Sequence, residues 1–470
     1  MKKTKIIATL GPSTNNEEKI DKLIKEGVDI FRLNLSHGDT LYHKNLIKLI
    51  KKVNKETPIL IDLSGPKLRI GKFEKNKIYL KKNQKFILTT KKIIGNENIV
   101  SISYNELHKR VNKNDFILLD DGKIKLRVVE VDDKSIVTKV INGGELNNNK
   151  GVNIIGKNLN IPSLTEKDIS DIDFGIKEKV DFIALSFVKN PEDIIELKEL
   201  LKNNNYQIPV IAKIEKKEAV KNLDKIIDVS DGIMVARGDL GVEMPLEEVS
   251  LIQKQIIKAC LFKDKFSILA TQILDSMIER SSPTRAEVSD ITNAIFDGVD
   301  ALMLSSETAM GKYPEIVIKT MRKISERVEK EFPYEETILS MEKNIKNDPL
   351  LSICYSAVLL SLKIKSKVIV VTTETGRTAI NVSRFRPKAQ ILALTPNERV
   401  VKTLKPYWGI IPIKTNKFYK HDDIINSINK EVRKLKFMKK GDLFISLSGV
   451  IPGIPGGTNI IKVDRIWNGK

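Results

Sequence analysis

The sequence predicts an α/β protein: a (β/α)8 TIM barrel, an inserted all-β lid domain, and a C-terminal open α/β domain. Three observations lead there. Short β-branched runs alternate with amphipathic segments from the first residues onward. The alternation is broken once by a stretch of period-two pattern, and a second α/β alternation begins after a polar stretch near residue 335.

The barrel strands are expected at Lys5–Leu10, Val28–Leu33, Pro58–Asp62, Val180–Ser186, Val210–Lys213, Gly232–Ala236, Phe266–Ala270 and Ala301–Leu304. Helices with apolar residues at three- and four-residue spacing lie between them, as at Glu18–Lys25, Leu41–Val53, Glu166–Ile176, Pro191–Leu201 and Leu246–Ala259. Pro191 suits a first helical turn, where a missing N–H costs nothing. The strands are apolar almost throughout, the mark of parallel strands buried on both faces. An open doubly wound sheet would show the same alternation; the count of eight favours closure.

Between the third and fourth strands, from about Gly71 to Gly156, the pattern changes. Strands are expected at Lys77–Leu80, Lys85–Thr89, Asn98–Ile102, Asp115–Leu119, Lys123–Glu130 and Ser135–Val140, with turns at Gly-Asn, Asp-Asp-Gly and Asn-Gly-Gly. Asp120-Asp121-Gly122 reads as a hairpin turn. An insertion at the C-terminal end of a barrel strand is placed to act as a lid. A helix near Val317–Lys330 and a linker at Glu335–Asn347 lead to the third unit. Its helices are expected at Leu350–Leu362, Arg377–Phe385 and Asn397–Leu404, and its strands at Lys367–Val371, Gln390–Leu394, Ile410–Ile413, Leu443–Leu447 and Ile460–Val463. The domains are thus 1–66 with 157–335, 67–156, and 336–470.

Composition narrows the function. Of 470 residues, 41% are hydrophobic and 30% charged, which supports folded cores rather than disorder. No apolar run reaches the roughly 18 residues of a membrane span, and the first residues lack a signal-peptide pattern, so a cytoplasmic protein is expected. Two cysteines and four histidines leave any metal to carboxylates. Cys260 and Cys354 fall in apolar helical contexts and read as core; His43, His108 and His421 read as surface or structural. The net charge of +20 comes from lysines spread along the chain, and with 6% aromatics it reads as a solvated surface rather than a nucleic-acid face.

Polar residues gather where a barrel would carry chemistry, at strand C-termini. Strand two ends in Arg32-Leu33-Asn34-Leu35-Ser36-His37-Gly38, and strand three in Asp62, followed by Ser64-Gly65-Pro66-Lys67-Leu68-Arg69. The next five end at Ser186, Lys213-Ile214-Glu215, Arg237-Gly238-Asp239, Thr271-Gln272 and Ser305-Ser306-Glu307-Thr308. Lys213 and Glu215, two apart, share one side of an extended segment. Glu215 and Asp239 facing one point would hold a hard divalent cation, with Arg32, Arg69 and Lys213 around an anion, which suits phosphoryl transfer. A Lys213–Glu215 surface pair with Asp239 capping a turn is the other reading of the same spacing. Neither GxxxxGK[ST] nor a strand-borne GxGxxG is present, which excludes a P-loop and leaves a dinucleotide site unsupported.

Several stretches, in order along the chain, resemble pyruvate kinases: Phe31-Arg32-Leu33-Asn34-Leu35-Ser36-His37-Gly38, Asp62-Leu63-Ser64-Gly65-Pro66-Lys67, Lys150-Gly151-Val152-Asn153, Ala212-Lys213-Ile214-Glu215, Ala236-Arg237-Gly238-Asp239-Leu240-Gly241 and Met303-Leu304-Ser305-Ser306-Glu307-Thr308. The resemblance implies glycolytic phosphoryl transfer from phosphoenolpyruvate to ADP, giving pyruvate and ATP. It implies that Glu215 and Asp239 hold Mg²⁺, or Mn²⁺ in its place. Lys213 would neutralise the phosphoryl group, Arg32 grip it, and Thr271 stand near the methylene carbon. Ser186 and the backbone of Gly238 and Asp239 would meet the substrate carboxylate, and Asn34, His37, Arg69 and Lys150 the nucleotide. A homotetramer is implied on the same ground.

One departure matters. Family members that need potassium carry Glu after Gly-Pro, where this chain has Lys67. The pocket similar to their potassium site would comprise Asn34, Ser36, Asp62 and the Leu63 carbonyl. An ammonium reaching it would replace the ion, so turnover without potassium is expected. In the third unit, Thr372–Thr378 resembles a loop that binds a phosphorylated allosteric effector in some members, with Gly449–Gly453 and Gly456–Asn459 completing the pocket; a plain capped helix fits the same residues. Two other classes, an aldolase- or carboxylase-type barrel and a non-catalytic regulator, fit less well. The first gives no reason for the lid or the third domain, and the second none for retaining Lys213, Glu215, Asp239 and Thr271.

Overall fold

In each barrel strand one parity of residues packs against the helices and the other fills the barrel. Ile7, Ile30, Leu60, Phe182, Ala184, Ile211, Met234, Ile268, Ala270, Ala301 and Met303 share the interior. Their strand neighbours Ile6, Ala8, Phe31, Leu33, Ile61, Ile183 and Val235 join the larger cluster beneath the helices. The protein is described by a computed structural model covering residues 1–156, 161–345, 347–451, 453–454 and 456–466. The domain boundary at 157, Lys346 of the expected linker, Pro452 and the last four residues lie outside the described residues.

Eight parallel strands close on themselves in sequence order, and the first pairs with the eighth through Lys5–Ala301 and Ala8–Leu304. They span Lys5–Thr9, Ile30–Asn34, Ile59–Asp62, Phe182–Leu185, Val210–Ile214, Gly232–Ala236, Phe266–Ala270 and Ala301–Leu304. Helices start behind side-chain caps, as where Asp39 accepts from the Tyr42 N–H and Thr165 and Asp168 cap reciprocally. Closure, rather than an open sheet, follows.

The insertion forms a six-stranded sheet and a two-stranded ribbon around its own core. Two of its strands, Gly144–Asn147 and Val152–Ile154, are additional to those expected from the sequence. It joins the barrel through two adjacent segments, with Arg69 bridged to Gly151 and the Val152 N–H donating to the Leu68 carbonyl. The third unit is a five-stranded sheet with its last strand, Thr458–Arg465, antiparallel.

Three local expectations change. The stretch expected as a linker begins with a helix, Tyr334–Met341, because Tyr334, Ile338 and Met341 bury one face. The segment read as a strand end or turn at Arg237-Gly238-Asp239 opens a helix, Arg237–Glu243, anchored by the fully buried Leu240. A further helix, His421–Arg433, buries Ile424, Ile428 and Val432 along one stripe.

Candidate active site

The inward parity that fills the lower barrel with apolar side chains turns polar at the top. Ile30 is followed by Arg32 and Asn34, Leu60 by Asp62 and Ser64, Ala184 by Ser186, Ile211 by Lys213 and Glu215, and Met303 by Ser305. These side chains line a cleft of about 160 Å³ together with Lys67, Arg69, Asp239 and Thr271. Period-two geometry alone therefore places Lys213 and Glu215 side by side.

Arg32, Asp62 and Glu215 are 7%, 1% and 1% exposed, so their charges must be answered within the protein. Asp62 receives Arg32 through Nε at 2.8 Å and Nη2 at 2.7 Å, and lies 3.2 Å from Lys213 Nζ. Lys213 also reaches Glu215 Oε1 at 2.9 Å and donates to Ser186 Oγ at 2.7 Å. Burial works against the Lys213 charge, but Asp62 and Glu215 outweigh it and raise its pKa above the ordinary lysine value. Burial likewise opposes ionisation of Asp62, yet Lys213 and Arg32 hold it below the usual carboxylate range. Glu215 is pushed upward by burial; Lys213 opposes that and Asp239 adds to it. The Phe187 N–H, on a residue with φ of 58°, fixes Glu215 Oε2 at 2.8 Å. Arg32 Nη1 donates to Thr9 Oγ1 at 2.9 Å, and of its five N–H groups two remain for a ligand anion.

Thr271 and Gln272 both lie in the left-handed region, at φ 67° and 54°. That is a strained choice for a β-branched threonine and gathers at functional sites. Arg237 holds the strain: its Nη2 donates to the carbonyls of Thr271 (2.9 Å) and Gln272 (3.1 Å), while Nη1 pairs with Asp290. Thr271 Oγ1 accepts from the Gly238 N–H at 2.9 Å, joining strands six and seven at the rim. Arg237 stood in the sequence inside a glycine-rich motif, but nothing in its spacing revealed carbonyls as its partners.

Other expected residues are placed differently. Asn34, His37 and Arg69 line the cleft, and burial together with Arg69, Arg32 and Lys67 lowers the His37 pKa. Lys150 pairs at 2.7 Å with Asp120 on the lid hairpin and is not among the cleft-lining residues. The Ser186 hydroxyl is spent on the Leu63 carbonyl (2.7 Å) and on Lys213. Asn34 Oδ1 accepts from the Ser36 N–H. Lys67, expected beside Asn34, Ser36, Asp62 and Leu63, instead pairs with Asp239 at 3.0 Å and approaches lid Asp121 at 3.7 Å. Asp239 is the anion its stem reaches, whereas Asp62 is already shared by Arg32 and Lys213. Burial disfavours the Lys67 charge, but Asp239 and Asp121 outweigh it and raise its pKa.

A divalent cation fits the donor set. Glu215 and Asp239 both line the cleft and offer hard oxygen donors. Among the described residues no group of three or more His, Cys, Asp or Glu is placed to hold a metal, so the protein would fill only part of a coordination shell. That is the usual arrangement for Mg²⁺ shared with substrate and water.

Residues 1–318 match the family description "Pyruvate kinase, barrel domain", and residues 351–464 match "Pyruvate kinase, alpha/beta domain". The pyruvate kinase of Thermotoga maritima is 45% identical over 470 residues, covering 99% of this chain and 100% of its own. This chain belongs to the pyruvate kinase family. The pyruvate kinase of Clostridium acetobutylicum is 42% identical over 99% of this chain and 100% of its own length. The crystal structure of a pyruvate kinase from Cryptosporidium parvum superposes with a TM-score of 0.92 at 35% identity, covering 99% of this chain and 96% of that one. As a pyruvate kinase this chain is a phosphotransferase of glycolysis. The family uses a divalent metal, and its substrates are phosphoenolpyruvate and ADP.

Proposed function

We propose that the cleft at the top of the barrel transfers the phosphoryl group of phosphoenolpyruvate to ADP without needing potassium, using Mg²⁺ or Mn²⁺ held by Glu215 and Asp239. The convergence of Arg32, Lys213, Glu215 and Asp239 on one cleft carries the reading. A bound divalent cation would supply positive charge for the phosphate and for the enolate left behind. Arg32, locked on Asp62 and Thr9, grips the phosphate with its two spare N–H groups. Lys213, kept charged by two carboxylates, neutralises the phosphoryl oxygens as they pass between the substrates. Thr271 stands at the rim, where protonation of the enolate carbon gives pyruvate, the step that drives the reaction toward ATP. The backbone of Gly238 and Asp239 frames the substrate carboxylate, with Ser186 beside it. Asn34, His37, Arg69 and, when the lid swings, Lys150 meet the nucleotide.

Lys67 supplies fixed positive charge to the same cleft, on the Asp239 side rather than at the pocket of Asn34, Ser36, Asp62 and Leu63. Two further readings rest on family likeness: a cytoplasmic homotetramer, and a phosphorylated effector at the cleft shared by Thr372, Thr375, Arg377, Gly449 and Thr458. Among the described residues no helix is long and apolar enough to cross a membrane.

A coupled assay of pyruvate and ATP formation tests the proposal. Turnover is expected in sodium buffer at the rate seen in potassium buffer, to vanish with a chelator and to return with Mg²⁺. The variant Lys67→Glu is expected to become potassium-activated. Strong potassium activation of the unaltered chain would remove the role given to Lys67, and turnover in the chelator would remove the metal.

A further inference from the structure

At the N-terminal end of the barrel, far from the catalytic rim, a cleft of about 660 Å³ opens between Met1, helix Tyr334–Met341 and the third domain. That volume lies in the range of small-molecule sites, roughly 300–1,000 Å³. Its wall carries four lysines, Lys363, Lys365, Lys367 and Lys388, against one carboxylate, Glu335. Lys363 is answered by Glu335 at 3.2 Å and Lys367 by Asp442 at 2.7 Å. Among the described residues Lys365 and Lys388 have no carboxylate partner. Leu362 and Phe437, both half-buried, supply apolar wall between the charges.

We propose that this cleft binds a small organic phosphate, its dianionic head between Lys365 and Lys388 and its carbon body against Leu362 and Phe437. Two unanswered ammonium groups match the charge of a phosphate monoester at neutral pH, about −1.5 to −2. Lys388 already crowds another cation: burial brings the Lys3 pKa down to about 8, and Lys388 adds to that lowering against the pull of Glu329. A bound dianion relieves this repulsion. The apolar wall and the limited volume favour a compact molecule over a polyanion.

The site is separate from the effector-like loop. Lys365 and Lys367 precede strand Val368–Thr372, whereas Thr372–Thr378 follows its other end, about 16 Å away at strand rise. It shares no residue with the catalytic cleft.

Calorimetric titration with phenyl phosphate, and with phenol as the uncharged control, tests the assignment on the full chain. Three proteins are compared: unaltered, Lys365→Gln/Lys388→Gln, and Arg377→Ala in the effector-like loop. Phenyl phosphate is expected to bind the unaltered chain and Arg377→Ala alike, and the double variant at least tenfold more weakly. Lys365 and Lys388 are exposed, so the double variant is expected to keep its melting temperature and its turnover. Undetectable binding to the unaltered chain, equal binding to the double variant, loss only in Arg377→Ala, or phenol binding as tightly as phenyl phosphate would each overturn the proposal.

Discussion

Lys213 and Lys5 sit at opposite ends of the same barrel interior, on strand positions of the same inward parity. Lys5 is buried and Lys213 largely so, and they meet opposite fates. Lys213 lies between two carboxylates that raise its pKa. Lys5 donates to the Ile410 carbonyl at 2.6 Å; burial brings its pKa to about 8, and Asp29 offsets that only in part. A third buried cation, Arg386, lies near Lys5 at the junction with the third domain. It pairs with Asp300 at 2.9 Å and donates to the carbonyls of Gly298 and Ser383, while Asp300 also accepts the Trp408 N–H. The rim network faces a cleft and keeps donors in reserve; the junction network turns its bonds inward, with the buried Arg386 Nε left unpaired. Burial of charge therefore does not mark a site here. Spare valence beside open volume does.

That contrast can be broken from either end. Lys213→Met is expected to cost a thousandfold or more in kcat, about 4 kcal/mol, in the folded fraction, and also to lower the melting temperature, because Glu215 is left buried without its cation. Near-normal turnover in a coupled assay would make Lys213 another strut. Asp300→Ala is expected to lose about 3–5 kcal/mol of stability by leaving Arg386 buried and unpaired, while the folded fraction keeps its kcat. Denaturant unfolding and turnover measured on the same sample separate the two. Arg237→Ala frees the strained carbonyls of Thr271 and Gln272 and is expected to lower kcat by roughly tenfold to a hundredfold, with a smaller change in KM.

The smallest effect concerns Lys5 and pH. Its folded pKa of about 8 lies below the 10.5 of an exposed lysine, so above pH 8 the unfolded chain binds the extra proton. Stability from this group is least below pH 8 and rises through the window up to 10.5, by at most about 1.4 kcal/mol per pH unit. Paired melting curves of the unaltered chain and Lys5→Met from pH 7 to 10 are expected to shift in favour of the unaltered chain as pH rises. A constant difference would mean that Lys5 stays charged when folded.

The strand alternation made the barrel legible, because inward and outward parity are written directly in the residue order. The polar rim was legible for the same reason, since Arg32, Asp62, Ser186 and Lys213 continue the inward series upward. Partner choice was less so. Lys67 could be matched to an anion only once the fold brought Asp239 and lid Asp121 within reach of its stem. Arg237 acts on backbone carbonyls, which leave no trace in residue identity. Helix Tyr334–Met341 hid because eight residues with adjacent glutamates look like a solvated connection, although Tyr334, Ile338 and Met341 already held helical spacing. Ile424, Ile428 and Val432 offered the same clue for the helix His421–Arg433.

The pairing of the first barrel strand with the eighth also imposes an order in time. On one edge residues 5–9 pair with residues 30–32 almost at once, but on the other they meet residues 301–304 only after those have been synthesised, roughly 15–60 s later at common translation rates. The inserted domain waits for nothing comparable, since its buried core runs from Leu68 to Ile154. On the ribosome it can be complete while the barrel around it is still an unsealed ribbon.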